Sequence, residues 1–322
     1  MLLRSVDQYA SRVARFTATS VPIQFARSLL AAATLSVIAF TSWDALTPEV
    51  AGAGRPSYCK PPLNLGLLCL DASPDKSFAR WIMAIVLILV ILGLVPALTS
   101  MLHAWVAFSF SVGIGLPDGG EQVAQLVALL IFLMSLDNWA WCAWLPQRGR
   151  AFETGKWSQG TAGIRWAAWI GLRIQMAYIY LESAISKLSH EDWMNGSAMY
   201  YFVRDPSFGG SGAIGQFARW ITSFDLGTAL STWFPIVMET SIALLIFGGR
   251  RRRTLGLGIA VVLHVGIIAV IGLWSFAIIM ISAVALATLP HIEPARRPEI
   301  TPDQSSKDVA GLKPAQSRSF SN

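Results

Sequence analysis

The sequence predicts an all-α, polytopic integral membrane protein with about eight transmembrane helices, because its apolar residues are abundant, continuous and poor in charge. Hydrophobic residues make up 54% of the 322 positions and charged residues only 14%, whereas a soluble domain carries about 25% charged residues. Residues 81–117 and 254–292 contain no Asp, Glu, Lys or Arg. Each block is long enough for two spans of about 20 residues.

The individual spans follow from these blocks and their interruptions. Eight hydrophobic segments lie near 27–44, 80–98, 101–116, 121–143, 164–187, 227–248, 254–271 and 273–290. Pro96 and the Thr99-Ser100 pair divide the first long block, and Gly272 divides the second, because these residues disfavour helix interiors. The short 101–116 segment leaves a re-entrant loop as the alternative to a full span.

The two ends of the chain differ from this transmembrane domain, which covers 27–290. Residues 1–26 are predicted to form a cytoplasmic segment. Within it, apolar residues recur at helical spacing with Arg4, Arg12 and Arg15 between them, which predicts an amphipathic helix on the membrane surface. Residues 291–322 are rich in Pro, Ser, Lys and Arg, and we expect a disordered cytoplasmic tail.

Basic residues set the predicted orientation. They lie in the N-terminal segment, between 144 and 163, at Arg250–Arg253 and after the last segment. All four clusters are cytoplasmic if both termini are cytoplasmic and there are eight spans. The loops 45–79 and 188–226 are then outside. The net charge of +6 is explained by this pattern, so the lipid bilayer is the expected partner and nucleic acid is not. The predicted location is the cell membrane.

Three cysteines divide between the two sides of this layout. Cys59 and Cys69 lie in the outer loop 45–79, and Cys142 lies at the inner end of the fourth segment. A Cys59–Cys69 disulfide with a reduced Cys142 is the predicted arrangement. The alternative is that both outer cysteines are small apolar residues.

Six ionisable residues, including Glu182 in the fifth segment, fall where the bilayer is expected. Each charge at mid-bilayer costs at least about 2.5 kcal/mol and needs a partner or a wet cavity. Asp137 and Arg173 are predicted to pair across helices, and Glu239 is predicted either to pair or to line a functional cavity. His103 and His264 are predicted to form hydrogen bonds between helices.

The fifth segment carries the main candidate site. Arg173, Tyr180, Ser183 and Lys187 share one helical stripe. Lys187 either snorkels to water or lies desolvated beneath the outer loop, where a lysine can act as a base. Glu182 lies about 140° around the helix from Lys187, so we expect it to find a partner on another helix or to be protonated by burial.

Two motifs carry no function in this context. Residues 210–215 spell G-x-G-x-x-G, but they follow an Asp-Pro turn rather than a strand, so a dinucleotide site is not predicted. His190-Glu191 lacks the second histidine of a zinc helix, and no Cys/His cluster has metal spacing, so no metal site is predicted.

Residues 173–209, "RIQMAYIYLESAISKLSHEDWMNGSAMYYFVRDPSFG", resemble the signature of the HTTM membrane family, which is related to vitamin K-dependent γ-carboxylase. The nearest branch is the sporulation-delaying protein B (SdpB) family. The matching elements are Arg173 with Gln175, Tyr180-Leu181, Lys187-Leu188, Trp193 with Asn195-Gly196, and the pair Tyr200-Tyr201.

The resemblance implies a role in maturing a secreted peptide toxin, a bacteriocin-like product, together with an accessory maturation protein. Lys187, before Leu188 and Trp193, matches the lysine that acts as base in the carboxylases, and a lipid quinone is the cofactor that this relationship suggests. The loop from Trp193 to Tyr201 is expected to fold over Lys187. Neither His103 nor His264 aligns with the further catalytic histidine of the carboxylases, so glutamate carboxylation is not implied.

Three functions therefore remain open from the sequence. The first is a membrane factor that matures or modifies an exported peptide at the outer face. The second is a quinone-linked redox enzyme of carboxylase type. The third is a transporter or immunity protein with a pocket but no chemistry. Lys187→Arg separates a transporter from an enzyme that uses the lysine as a base, because arginine keeps the charge but hardly deprotonates.

Overall fold

A computed structural model of the chain describes residues 13, 16–17, 20–48, 59–61, 63–73, 75–115, 119–145, 156–206, 209–210 and 212–292. Most of the predicted amphipathic N-terminal segment and nearly all of the predicted disordered tail lie outside the described residues.

The described part of the chain is helical apart from one two-residue strand pair. The helices are α1 Val21–Phe40, α2 Trp43–Leu46, α3 Leu67–Leu70, α4 Ser77–Ile91, α5 Pro96–Gly113, α6 Gly119–Met134, α7 Lys156–Leu188, α8 Glu191–Met194, α9 Ala198–Phe202, α10 Gly212–Ile221, α11 Asp225–Leu245, α12 Arg250–Ile271 and α13 Trp274–Thr288. A 3₁₀ turn covers Leu63–Leu65, and the strands are β1 Phe16–Thr17 and β2 His291–Ile292. The all-α prediction is confirmed.

Eight of these helices have 15 or more residues, and each overlaps one predicted hydrophobic segment. Three of the described helices, α1, α11 and α12, are long and apolar enough to cross a membrane, and α4, α6 and α13 are shorter apolar helices. These properties are consistent with a membrane protein. The count of eight spans and the cytoplasmic position of the termini stay predictions.

The first helix starts earlier than the sequence predicts. α1 begins at Val21 with proline in its first turn, where a missing N–H costs nothing. It therefore includes Gln24 and Arg27, which are 2% and 4% exposed. The predicted start at residue 27 left Gln24 outside the first segment, whereas packing already buries the helix there.

The fourth long helix ends earlier than predicted. α6 stops at Met134, and residues 135–145 turn beneath the α4–α5 junction. Ala97 N donates to Asn138 O at 2.9 Å, and Val95 N donates to Trp141 O at 3.1 Å. Gly93 at φ +71° allows this approach, because a Cβ there would lie 2.9 Å from the Trp144 ring.

The connections between helices collect at two ends of the bundle. At the end that we call the strand end, Ala143 N donates to Gly93 O, β1 pairs with β2, and Arg253 Nη1 on α12 donates to Pro290 O. This end therefore holds both described chain ends and the α4–α5, α6–α7 and α11–α12 connections.

The opposite end, which we call the disulfide end, holds the remaining connections. Gly115 N donates to Leu46 O at 2.7 Å, so the α5–α6 turn meets the loop after α1. A Cβ on Gly210 would lie 2.7 Å from Val270 O, which places the loop after α7 beside the α12–α13 turn. Successive long helices thus alternate in direction, as the predicted topology requires.

Two hydrophobic clusters fill the bundle. The larger joins α1, α6, α7, α11, α12 and α13, and its fully buried members include Leu30, Leu172, Ile242 and Ile279. The smaller joins α1, α3, α4 and α5. The long helix α7 packs against α11 in the larger cluster, and this packing positions the site.

Candidate functional site

Helix α7 turns the predicted stripe of Arg173, Tyr180, Ser183 and Lys187 toward α11. Ser183 Oγ donates to Glu239 Oε1 at 3.1 Å, and Lys187 Nζ donates to the same carboxylate. At the other end of the stripe, Arg173 donates to Ile246 O, just after α11. The stripe therefore forms the polar contacts between α7 and the α11 region.

Lys187 lies at the centre of a compact polar cluster. Its Nζ is 2.7 and 2.8 Å from the two carboxylate oxygens of Glu239 and 2.8 Å from Ser183 Oγ. The side chain of Lys187 is 20% exposed and that of Glu239 is 9% exposed. The Trp193 ring centroid lies 5.5 Å from Nζ. These acceptors occupy the three N–H donors of the ammonium.

The structure gives Lys187 the counter-charge of Glu239, so the sequence-based view of a lysine without a full partner is wrong. Glu182 lies on another face of α7, as the helical spacing predicts, and does not join the cluster. It is exposed there, so the expected burial of its carboxyl group is also wrong. It lies in a shallow groove lined by Tyr178, Leu181, Ile185, Ser186 and Ser189.

Two aromatic side chains lie on the bundle side of the cluster. Tyr180 is 2% exposed, and its hydroxyl has no hydrogen-bond partner in the described part of the chain. The His264 ring lies 5.9 Å from the Tyr180 ring and 5.9 Å from the Phe276 ring. His264 Nδ1 contacts Ala260 O of its own helix, so its predicted bond between helices is replaced by ring contacts.

The loop after α7 brings Trp193 to Lys187. Asn195 Oδ1 accepts hydrogen bonds from Ser197 N at 3.0 Å and Ser197 Oγ at 2.6 Å, which fixes a tight turn. Gly196 continues the turn at φ +80°, and it lies so close to α11 that a Cβ on it would be 3.4 Å from Ala229 Cα. The loop is thus attached to the helix that carries Glu239.

The paired tyrosines lie farther along this loop. Tyr200 and Tyr201 contact each other edge to face at 5.4 Å, and the Arg204 guanidinium lies 3.7 Å from the Tyr200 ring centroid. They are 42% and 58% exposed. The aromatic ring that contacts the lysine is therefore Trp193, and the tyrosines form an exposed surface beside it.

Asp137 and Arg173 do not pair, contrary to the prediction. Arg165 Nη1 donates to Asp137 Oδ1 at 3.0 Å, and Thr161 Oγ1 donates to Oδ2 at 3.2 Å. The early end of α6 moves Asp137 into a turn that faces the first half of α7. Arg173 instead contacts Ile246 O, and Gln175 is half-buried at the same level of α7, remote from Lys187.

A second polar cluster joins α1 to α5, and it was not predicted. Arg27 donates from Nη1 to Gln24 Oε1 at 3.0 Å and from Nη2 to Ser100 Oγ at 2.7 Å. His103 is fully buried, and neither ring nitrogen has a partner in the described residues, so its predicted hydrogen bond is wrong. The spacing of Gln24, Arg27 and Ser28 on one helical face was the available signal.

The predicted disulfide is present. Cys59 and Cys69 are bonded, with their Cα atoms 5.4 Å apart. Cys142 is a free thiol, and it lies at the strand end.

The Lys187–Glu239 pair has the composition of a proton-exchange site. The pair places a proton donor, the Lys187 ammonium, 2.7 and 2.8 Å from the oxygens of a proton acceptor, the Glu239 carboxylate. A lysine that loses its proton is a base and a nucleophile.

Two Bacillus subtilis (strain 168) proteins are similar to the chain. The uncharacterized protein YitO is 29% identical over 255 residues, which cover 77% of this chain and 78% of YitO. The sporulation-delaying protein SdpB is 27% identical over 244 residues, which cover 74% of this chain and 72% of SdpB. No family model matches the sequence, so the HTTM assignment rests on motif residues alone. No solved structure matches the chain.

Proposed function

We propose that this protein is an SdpB-like membrane factor that matures an exported peptide toxin, with Lys187 and Glu239 as its working pair. The observation that carries the proposal is the bidentate contact of Lys187 Nζ with the Glu239 carboxylate, at 2.7 and 2.8 Å. The similarity to SdpB over about three quarters of both chains supports the biological setting.

The position of the pair supports a role at a membrane boundary. Lys187 is the penultimate residue of α7, and the loop that follows carries Trp193 against it. Exposed aromatic side chains of the same loop, Tyr200 and Tyr201, provide a surface for an extended apolar peptide. A peptide on this surface lies next to the pair.

Each residue has a defined part in the proposal. Lys187 exchanges a proton with the peptide, and Glu239 holds the ammonium in place and takes its proton. Ser183 fixes the rotamer of Lys187 through its hydroxyl, 2.8 Å from Nζ. Trp193 limits water on the open side. An accessory protein that presents the peptide is part of this proposal.

Secreted peptides provide the direct test. Cells of the source organism that lack this gene should secrete the precursor peptide, and the wild-type gene supplied in trans should restore the mature mass. Mass spectrometry of culture supernatants measures both forms. Identical secreted masses with and without the gene would refute the maturation role.

A transporter with the same pair would respond differently to one substitution. It needs only the positive charge at this position, so Lys187→Arg should retain transport. In a maturation factor that uses the lysine as a base, Lys187→Arg should fail, because a guanidinium stays protonated.

A further inference from the structure

Two buried arginines lie against a single indole ring at the strand end. The Arg173 and Arg253 Cζ atoms lie 4.8 and 5.3 Å from the centroid of the Trp169 ring. Each arginine is only 9% exposed. At 1.5 Å per residue, Arg173 is about 20 Å along α7 from Lys187, so this cluster is separate from the candidate site.

No carboxylate in the described residues pairs with either arginine. Arg173 Nε donates to Ile246 O at 3.1 Å, and Arg253 Nη1 donates to Pro290 O at 3.0 Å. Arg253 Nε is buried, and it has no partner within the described part of the chain. Both acceptors are neutral carbonyls, so none of the residues that the structure describes supplies a counter-ion for the two charges.

Helix ends compensate only part of this charge. The two carbonyls follow the C-termini of α11 and α13, each equivalent to about −0.5 charge, while the N-terminus of α12 contributes about +0.5. The residue before α12, Gly249, provides no side-chain cap. Among the described residues, the balance is an excess of about +1.5 charges, and the exposed arginines at 250–252 add to it.

We propose that Arg173, Arg253 and the N-terminus of α12 bind the phosphate of an anionic phospholipid at the membrane boundary. Guanidinium groups match phosphate oxygens in geometry and charge, and basic pockets between transmembrane helices suit lipid headgroups. Exposed apolar side chains lie on α11 at Leu244, on α12 at Leu255 and between these helices at Phe247, whose ring centroid is 5.4 Å from Arg173 Cζ. They provide a surface for acyl chains, which a free phosphate would not use.

Lipid-dependent stability tests the proposal in the purified full-length protein. In detergent, added phosphatidylglycerol should raise the melting temperature by roughly 5 °C, whereas phosphatidylcholine should not. A second arm replaces lipid by inorganic phosphate. An equal rise with phosphate alone would show a free-anion site and overturn the lipid assignment, and no rise with any of the three would overturn the site.

Substitutions at Arg250–Arg253 show which of these arginines binds the lipid. Arg253→Gln should weaken phosphatidylglycerol binding at least tenfold, as expected for a lost charged hydrogen bond, whereas the exposed Arg251→Gln should bind as the wild type does. Native mass spectrometry counts the bound lipids. If Arg253→Gln does not fold, Arg253→Lys replaces it. Lysine keeps the charge but lacks the paired N–H donors of the planar guanidinium, so this variant should retain fewer lipids than the wild type. Equal lipid retention by Arg253→Lys and the wild type, or equal losses in Arg251→Gln and Arg253→Gln, would contradict the proposal.

Discussion

At the scale of single residues, Lys187 and Glu239 show what a sequence can and cannot reveal about a membrane site. Both were identifiable as charges in apolar segments, where an unpaired charge is costly. Their contact was not identifiable, because 52 positions separate them and the contact depends on how α7 crosses α11. Asp137 shows the same limit, since its pairing with Arg165 depended on where α6 ends.

Removing one partner of the pair should destabilise the protein more than removing both. Glu239→Gln leaves the lysine charge partly buried, and we expect a loss of about 2 kcal/mol, reduced from the range for fully buried pairs because Lys187 is 20% exposed. The double variant Lys187→Met/Glu239→Gln should recover most of this loss. Thermal unfolding in detergent measures all three proteins.

Glu182→Gln is the matched control, because Glu182 is exposed on the same helix, and it should change stability by less than about 0.5 kcal/mol. Additive losses from Lys187→Met and Glu239→Gln would contradict the pair, since contacting residues show coupling.

Asp71 should make stability depend on pH below neutrality. Its carboxylate accepts hydrogen bonds from Ser73 Oγ at 2.6 Å and Ala79 N at 2.8 Å, and the Ser73 hydroxyl is the largest cause that holds the pKa of Asp71 below its ordinary value. Because the folded pKa is the lower one, this stabilisation is present above the unfolded pKa of about 3.9 and is lost as pH falls through the folded pKa.

The melting temperature of Asp71→Asn should therefore lie below that of the wild type at pH 7. The difference should shrink as pH falls from 4 to 2, because the unfolded pKa of aspartate is about 3.9 and the folded pKa of Asp71 lies below it. A difference that stays constant over this range would show that the carboxylate charge is not involved.

At the scale of elements, the Asn195-Gly196 turn links the loop to α11. Gly196 has φ +80°, and a Cβ there would lie 3.4 Å from Ala229 Cα. Gly196→Ala should destabilise the protein by about 1–2 kcal/mol from the left-handed backbone alone, with a further loss from the contact with α11. It should also reduce peptide maturation, because the turn positions Trp193.

Gly212 provides the control for this turn. It also has a left-handed backbone, at φ +66°, but nothing lies within 4 Å of an added Cβ. Gly212→Ala should therefore cost only the backbone strain and should leave maturation unchanged. Equal effects of the two substitutions on thermal stability and on maturation would show that the turn does not act through α11.

Some helix boundaries can be predicted from the sequence, and others cannot. Gly272, at φ +81°, ends α12, and Pro96 begins α5, so these two interruptions are structural. The Thr99-Ser100 pair, which was also predicted to divide the block, lies inside α5, so that prediction is wrong. The start of α1 and the end of α6 were missed, because buried Arg27 and the turn after Met134 are decided by neighbouring helices. Hydrophobicity alone does not contain that information.

At the scale of the whole molecule, the alternation of connections between the two ends agrees with the predicted topology. Ser189 is exposed at the disulfide end, and Arg251 is exposed at the strand end. In a Cys142→Ser background, a cysteine at Ser189 should react with an impermeant thiol reagent in intact cells, whereas a cysteine at Arg251 should react only after lysis. The reverse pattern would invert the topology, and labelling of both positions in intact cells would refute it.

The central claim is that Lys187 works in peptide maturation in addition to stabilising the contact between α7 and α11. The decisive measurement is the mass of the secreted peptide from deletion cells that express wild type, Lys187→Met or Lys187→Arg at equal membrane levels. The account predicts mature peptide from the wild type alone and precursor from both variants. Mature peptide from Lys187→Met at the wild-type level would contradict it.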